Sequence, residues 1–256
     1  MESLELSEIG VLKGLENPPE RLYYRGNLKL LRAPRVSIVG SRRPNPYTKT
    51  VVTRLAAALA KRGVVVVSGA AMGVDALAHK GAGAERTIGV MPCGLDIRYP
   101  AINAALIASI EKKGLALSRF EPGFRQRSWS FVVRNEIVVA LGEVLVVAQA
   151  DRNSGSMRSV AYAKRMGKPI YVLPHRLGES DGTNDLLASK EAEAIFDIDA
   201  FASRFGEEAS SREDDFIRYL RSSPPYEEAV RRFGEALFEA ELEGRIRIEE
   251  GRVILL

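Results

Sequence analysis

Residues 36–68 read VSIVGSRRPNPYTKTVVTRLAAALAKRGVVVVS, and the order of patterns inside that stretch decides the fold. Its two ends, VSIV (36–39) and VVVV (64–67), are apolar at almost every position and rich in valine, as suits strands covered on both faces. Between them Val51, Val52, Leu55, Ala56 and Leu59 recur at helical spacing, and Gly63 supplies a stop. Strand, helix, strand is a βαβ unit with parallel strands. Four more apolar runs extend it: IGVM (88–91), LALS (115–118), VLVVA (144–148) and IYVL (170–173). Helical patterns at 103–113 and 159–166, ended by Gly114 and Gly167, lie among them. The expected class is α/β, an extended Rossmann-like, doubly wound and mostly parallel sheet.

Each run is followed by a segment that begins at a strand's carboxyl end, the edge where open parallel sheets hold ligands. These segments are GSRRPNP, SGAAMGVD, PCGLD, SRFEPGFRQRSWSF, QADRNSGS and PHRLGESDG. Glycine lets backbone approach a ligand, serine with free N–H groups cradles an anion at a helix start, and arginine matches a phosphate. The edge reads as an anion crevice. Residues 119–134 add four arginines against one acid, interleaved with Phe120, Phe124, Trp129 and Phe131. Cations with aromatic faces are the makeup of a single-strand nucleic-acid groove. Any one of these aromatics equally suits core beneath a long loop.

Composition agrees with a globular chain: 256 residues, 46% hydrophobic and 27% charged, which excludes disordered, collagen-like and disulfide-scaffold classes. Cys93 is the single cysteine, so neither an internal disulfide nor a thiolate cluster is possible. No apolar run approaches bilayer length and the acidic N-terminus lacks signal-peptide features, giving the expectation of a cytoplasmic, non-membrane protein. The net charge of +4 conceals an asymmetry. A lead-in, residues 1–35, holds 6 basic and 5 acidic residues; the core, 36–206, holds 23 against 15; the last segment, 207–256, holds 8 against 13. A basic body favours a polyanionic partner. After Phe205 the stretch GEEASSRED reads as a linker, followed by three short helix patterns and the alternating IRIEEGRVILL, a hairpin. Three helices and a hairpin is winged-helix order, but the acidic balance favours a protein-interaction or structural role over phosphate contact.

Phosphate-loop, dinucleotide, nucleophile-elbow and zincin signatures are all missing. His79 and His175 lie apart without ligand spacing and are read as structural, and Asp75 and Asp96 as caps and loop braces.

Taken in order, the blocks 36–48, VVVSGAAMGVDALAHKGA (65–82), GLDIRYPAIN (94–103), FVVRNEIVVALGEVLVVAQADRNSGSM (131–157) and PHRLGESDGTNDLL (174–187) resemble those of the DNA-processing protein A family, also called DprA or Smf. PPERLYYRGNLKLLRAPR (18–35) looks like its lead-in, so the resemblance spans about residues 18–196, with a weaker likeness of the last 45 to the family's winged-helix appendage. The sterile-alpha-motif-like domain of many members finds no counterpart in the residues before the core. The resemblance implies a non-catalytic single-stranded DNA-binding protein without cofactor or metal. It would act as a homodimer, protect incoming DNA and help load the RecA recombinase in natural transformation. It implies DNA-binding roles for Arg42 of the G-S/T-R motif, Ser68 and Gly69 after the second strand, Phe131 beside a base or sugar, and the Arg134–Asn135 pair. It also implies one for the Ser154, Gly155 and Ser156 loop. The chain departs at Ser128, where members often place lysine and where Arg127 next to it can carry the charge. It departs again at Val132 and at Glu136, where an arginine is usual, and in SGSMRS for S-G-S-L-x-T. Arg119, Arg125 and Arg158 are additional charges. The competing enzyme reading, a Rossmann-type nucleotide phosphoribohydrolase, lacks its P-G-G-x-G-T-x-x-E motif.

Overall fold

The computed structural model describes residues 2–5, 10–12, 15–16, 18–206 and 212–255. They fall into two compact units, divided between Glu208 and Ala209.

All six apolar runs are strands: β3 (Arg35–Val39), β4 (Val65–Ser68), β5 (Thr87–Val90), β6 (Leu115–Ser118), β7 (Val144–Val147) and β8 (Ile170–Val172). Three more join them, β1 (Glu2–Glu5), β2 (Arg21–Gly26) and β9 (Glu193–Ala194), in a nine-stranded sheet of order β1-β2-β6-β5-β4-β3-β7-β8-β9. Strands β3 to β9 are mutually parallel, while β2 runs antiparallel to β6 and β1 to β2. The lead-in thus supplies an edge of the sheet. Order reverses at β3, which lies between β4 and β7, so the chain winds outward in both directions from there.

Continuous apolar runs mean that successive residues face two different layers. Val65 and Val67, with Leu145 and Val147, pack under helices α4 (Ser128–Leu141) and α5 (Gly155–Arg165). Val36, Ile38, Val64 and Val66, with Val144 and Val146, pack under α1 (Pro46–Lys61), α2 (Val74–Ala82) and α7 (Ile198–Ala202). Burying each Val or Ile is worth ~1.5–3 kcal/mol. Helix α3 (Ala104–Lys113) covers the β5–β6 end and α6 (Asp181–Ala188) follows β8. Helix α1 starts on Asn45, whose side chain accepts the Thr48 N–H at 2.8 Å, and stops where Gly63 takes φ +76°.

The segment after β6, read as a loop through Phe131, ends earlier. Ser130 Oγ accepts the Arg127 N–H at 3.0 Å, and the apolar run beginning at Ile137 then draws residues 128–141 into a helix. The last carbonyls of α4 are taken by cations from outside it: Arg35 Nε donates to Leu141 at 2.7 Å and Lys168 Nζ to Ala140 at 2.6 Å.

The second unit holds α8 (Arg212–Leu220), α9 (Tyr226–Leu242) and the hairpin of β10 (Ile246–Glu249) and β11 (Arg252–Leu255). Two helices stand where three are expected: Gly234 does not break α9. Its tendency to weaken a helix, ~1 kcal/mol relative to Ala, is outweighed because Ala229 on one side and Leu237 and Ala240 on the other enter the same core with Phe216, Ile246 and Val253.

Candidate nucleic-acid interface

The loop after β4 is held from behind by buried polar side chains. Gly69 and Ala71 N–H donate to Asp75 Oδ2 at 3.2 and 3.3 Å, and Ala70 N–H donates to His79 Nε2 at 3.3 Å. On the acceptor side, Arg134 Nη1 donates to the Gly69 carbonyl, and Asn103 Nδ2 to those of Ala70 and Ala71 at 3.0 and 3.1 Å. The N–H and C=O groups of Gly69, Ala70 and Ala71 are all taken, and the loop holds Ala70 at φ +54°. A Cβ at Gly69 would run into the Arg134 guanidinium, and one at Gly73 into the backbone of Ser41 and Arg42. Glycine is required at both by close approach.

His79 is fully buried; with Nε2 accepting, its Nδ1–H donates to Thr87 Oγ1 at 2.6 Å, and Thr87 in turn donates to Val66 O at 3.2 Å. Burial, helped by the Arg134 charge, lowers its pKa to about 3, so it is neutral. Burial raises the Asp75 carboxyl, while Arg134, 4.0 Å away, pulls it down. Desolvation likewise lowers Arg134, with Asp75 opposing. Asp75 and His79 thus brace the loop, in keeping with their structural reading.

In front of the loop lies a pocket lined by Arg42, Ala71, Met72, Tyr99 and Phe131, with Gly69 and Arg134 at its floor. The Arg42 guanidinium carbon sits 5.3 Å from the Phe131 ring centroid, and Tyr99 meets Phe131 edge-on at 5.9 Å. Arg42 is exposed and, among the described residues, pairs with no carboxylate. Arg134 is only 3% exposed and also donates to the Val90 carbonyl at 3.1 Å; its charge reaches the pocket through the floor.

The other expected residues lie elsewhere. Ser68 is fully buried, its Oγ donating to Ile38 O at 2.6 Å. Asn135 is half-buried beside Arg134, and Arg127 is exposed at the start of α4. Ser154 stands at the N-cap of α5 in a separate hollow with Asp151, Arg152, Asn153 and Asp181, and its Oγ is buried without a hydrogen bond. Gly155 and Ser156 open that helix, where first-turn N–H groups lack intrahelical acceptors. Phe120, Phe124 and Trp129 form their own cluster, the first two stacked at 4.4 Å with Trp129 edge-on to both. Of the four aromatics only Phe131 lines the pocket. Glu136 is buried and accepts the Glu16 N–H at 3.3 Å, about 200° round the helix from Arg134. Its carboxylate is engaged with the lead-in and does not line the pocket. Tyr99, Met72 and Asn103 are pocket and scaffold residues not singled out from sequence; for Tyr99 and Asn103 the signal was the Tyr-Pro-Ala-Ile-Asn run of 99–103.

A family model described as DNA recombination-mediator protein A matches residues 7–206, a span that takes in the whole pocket. The chain belongs to the DNA recombination-mediator protein A family. Curated relatives include DNA processing protein DprA of Bacillus subtilis, 34% identical over 65% of this chain and 57% of the relative. The DprA of Streptococcus pneumoniae is also 34% identical, over 69% and 64%. The chain therefore spans less than two thirds of the length of these relatives. Among solved structures, one describing a single-stranded DNA binding mode of DNA processing protein A from Helicobacter pylori aligns with TM-score 0.75 and 44% identity, covering 80% of this chain and 93% of that one. The Streptococcus pneumoniae DprA structure aligns with TM-score 0.74 and 30% identity, covering 80% and 75%. No helix among the described residues is long and apolar enough to cross a membrane.

Proposed function

We infer that this family member is a non-catalytic single-stranded DNA-binding protein of the cytoplasm, and that it works as a homodimer that protects incoming DNA and hands it to the RecA recombinase during natural transformation. The observation that carries the reading is Arg42: an exposed guanidinium, paired with no carboxylate among the described residues, over an aromatic face, at the mouth of a pocket with a second cation in its floor. A cation beside a stacking surface meets a phosphate and its base together. No carboxylate or imidazole lines that pocket among the described residues, which supports binding over proton transfer. The Helicobacter protein, at 44% identity, supports the ligand class. The homodimer finds support in the edge strand β9, beside which Phe196 is 85% exposed. A winged-helix-like reading of the C-terminal unit rests on the Pro225–Arg252 bridge and the hairpin that follows α9.

Fluorescence anisotropy with labelled oligothymidine at several ionic strengths tests the reading. Affinity should fall steeply with salt, with little difference between oligothymidine and mixed sequence. Absence of binding at low salt refutes it, and release of base from nucleoside monophosphates would establish the phosphoribohydrolase instead.

A further inference from the structure

The C-terminal unit presents a surface its own packing does not use. Helix α9 gives Ala229, Leu237 and Ala240 to the unit's core. A second row, Val230, Gly234, Phe238 and Leu242, is spaced four residues apart and so forms one ridge along the helix. Phe238 and Leu242 lie two residues either side of Ala240, about 160° round the helix from it, and are 63% and 73% exposed. Two large apolar side chains thus stand together on the face opposite the core, unused by the unit's own packing. Gly234 would meet nothing with a Cβ, so it leaves a notch midway along the ridge that the unit itself does not need. A hollow lined by Phe216, Phe233 and Ala236, with Arg232 and Arg245 as well as Glu235 and Glu239 around it, opens beside that notch.

The charges around the ridge name its occupant. Glu227 is paired with Arg231 at 3.7 Å and Glu243 with Arg245 at 2.7 Å, whereas Glu235, Glu239 and Glu241 have no ion-pair partner among the described residues. Unpaired carboxylates beside exposed apolar groups repel nucleic-acid phosphates, and a second copy of α9 would bring like charges together. We propose that the ridge Val230–Gly234–Phe238–Leu242 docks a basic amphipathic helix of a partner protein, with apolar side chains seated on Phe238 and Leu242 and lysines or arginines meeting Glu235, Glu239 and Glu241. The notch at Gly234 lets the two helix axes approach closely.

The experiment uses the full chain and two fluorescein-labelled synthetic helices of about 18 residues, identical in their leucine face, one with lysine and one with glutamate on the other face. The lysine peptide should bind at least about ten-fold more tightly than the glutamate peptide, and Phe238→Ser with Leu242→Ser should weaken it about ten-fold or more. Glu235→Lys with Glu239→Lys should weaken it several-fold while oligonucleotide affinity does not fall. Equal affinity for the two peptides, no binding of either, or full binding by the serine double variant overturns the proposal. So does sedimentation showing that the serine variant splits a dimer, which would make the ridge a self-association surface. If a thermal melt finds the serine variant unfolded, the lysine variant, which alters only exposed carboxylates, decides the matter alone: unchanged peptide affinity rejects the proposal.

Discussion

The loop after β4 with Arg42 in front of it, and the loop after β7 that runs into α5, contain the same residue types and present different electrostatics. At the first, Arg42 is exposed, Arg134 lies in the floor, and among the described residues no carboxylate pairs with Arg42 or lines the pocket. At the second, Arg152 is bound to Asp185 at 2.6 Å and Asp181 at 3.5 Å, and Asp151 lines the same hollow. What remains there for an anion is the N-terminus of α5. Arginine content does not measure phosphate affinity; what matters is which carboxylates have already claimed the cation.

The strongest way to break this contrast is at Arg134, which the family resemblance assigns to DNA and the geometry assigns to scaffolding. Arg134→Met strips the carbonyls of Gly69 and Val90 and leaves the Asp75 carboxyl buried without its cation. The expected cost is about 3–5 kcal/mol of stability, read by urea unfolding. Lost oligonucleotide affinity at unchanged stability would make Arg134 a direct contact, as the resemblance implies.

Acid should strike the same side. The folded pKa of His79, about 3, lies below the ordinary imidazole value, so the unfolded chain takes a proton near pH 6.5 that the native site refuses. The contribution is complete above pH 6.5 and is lost as pH falls toward 3, up to about 3–5 kcal/mol. Asp75, raised by burial, works in the opposite direction at the low end, and Arg134 stays charged throughout. The measurement is therefore the difference in unfolding midpoint between the parent and His79→Gln, from pH 7 to 4. A parallel pH dependence in the two proteins would show that His79 titrates normally.

For binding itself, Arg42→Ala should lower oligonucleotide affinity about ten-fold for every sequence alike and reduce the salt slope by about 0.7, with the melting temperature unchanged. An unaltered salt slope would remove Arg42 from the phosphate path and leave the pocket without its main cation.

These contrasts show where sequence was legible. The six strands of continuous apolar character declared themselves because burial on both faces leaves no polar alternation to misread. Strand β2 did not: its Tyr23, Tyr24 and Arg25 are half-buried at the antiparallel edge, and β9 is only two residues long. That Arg42 and Gly69 lie at one strand edge was readable, because a motif after a strand fixes their place; both line the pocket. The burial of Arg134 was not readable, since nothing in Arg-Asn states that two carbonyls, one in the loop after β4 and one at the end of β5, lie within reach of its guanidinium. Nor could spacing separate Phe131 from Trp129, two residues apart on one helix and pointed to different aromatic neighbours.

The smallest expected effect falls on the second loop. Arg152 is an exposed cation at the family's serine-glycine-serine loop, and charge counting alone would rank it with Arg42. Its two carboxylates already neutralise it, and an exposed pair of this kind contributes ~0–1 kcal/mol. Arg152→Ala should therefore change oligonucleotide affinity by less than about two-fold, or raise it no further than the loss of local order allows. The informative partner is Asp181→Asn with Asp185→Asn, which releases the Arg152 guanidinium and should strengthen binding several-fold at low salt, an effect abolished by adding Arg152→Ala. If Arg152→Ala by itself weakens binding as much as Arg42→Ala, DNA displaces the aspartates, and the two loops are electrostatic equals once the strand is bound.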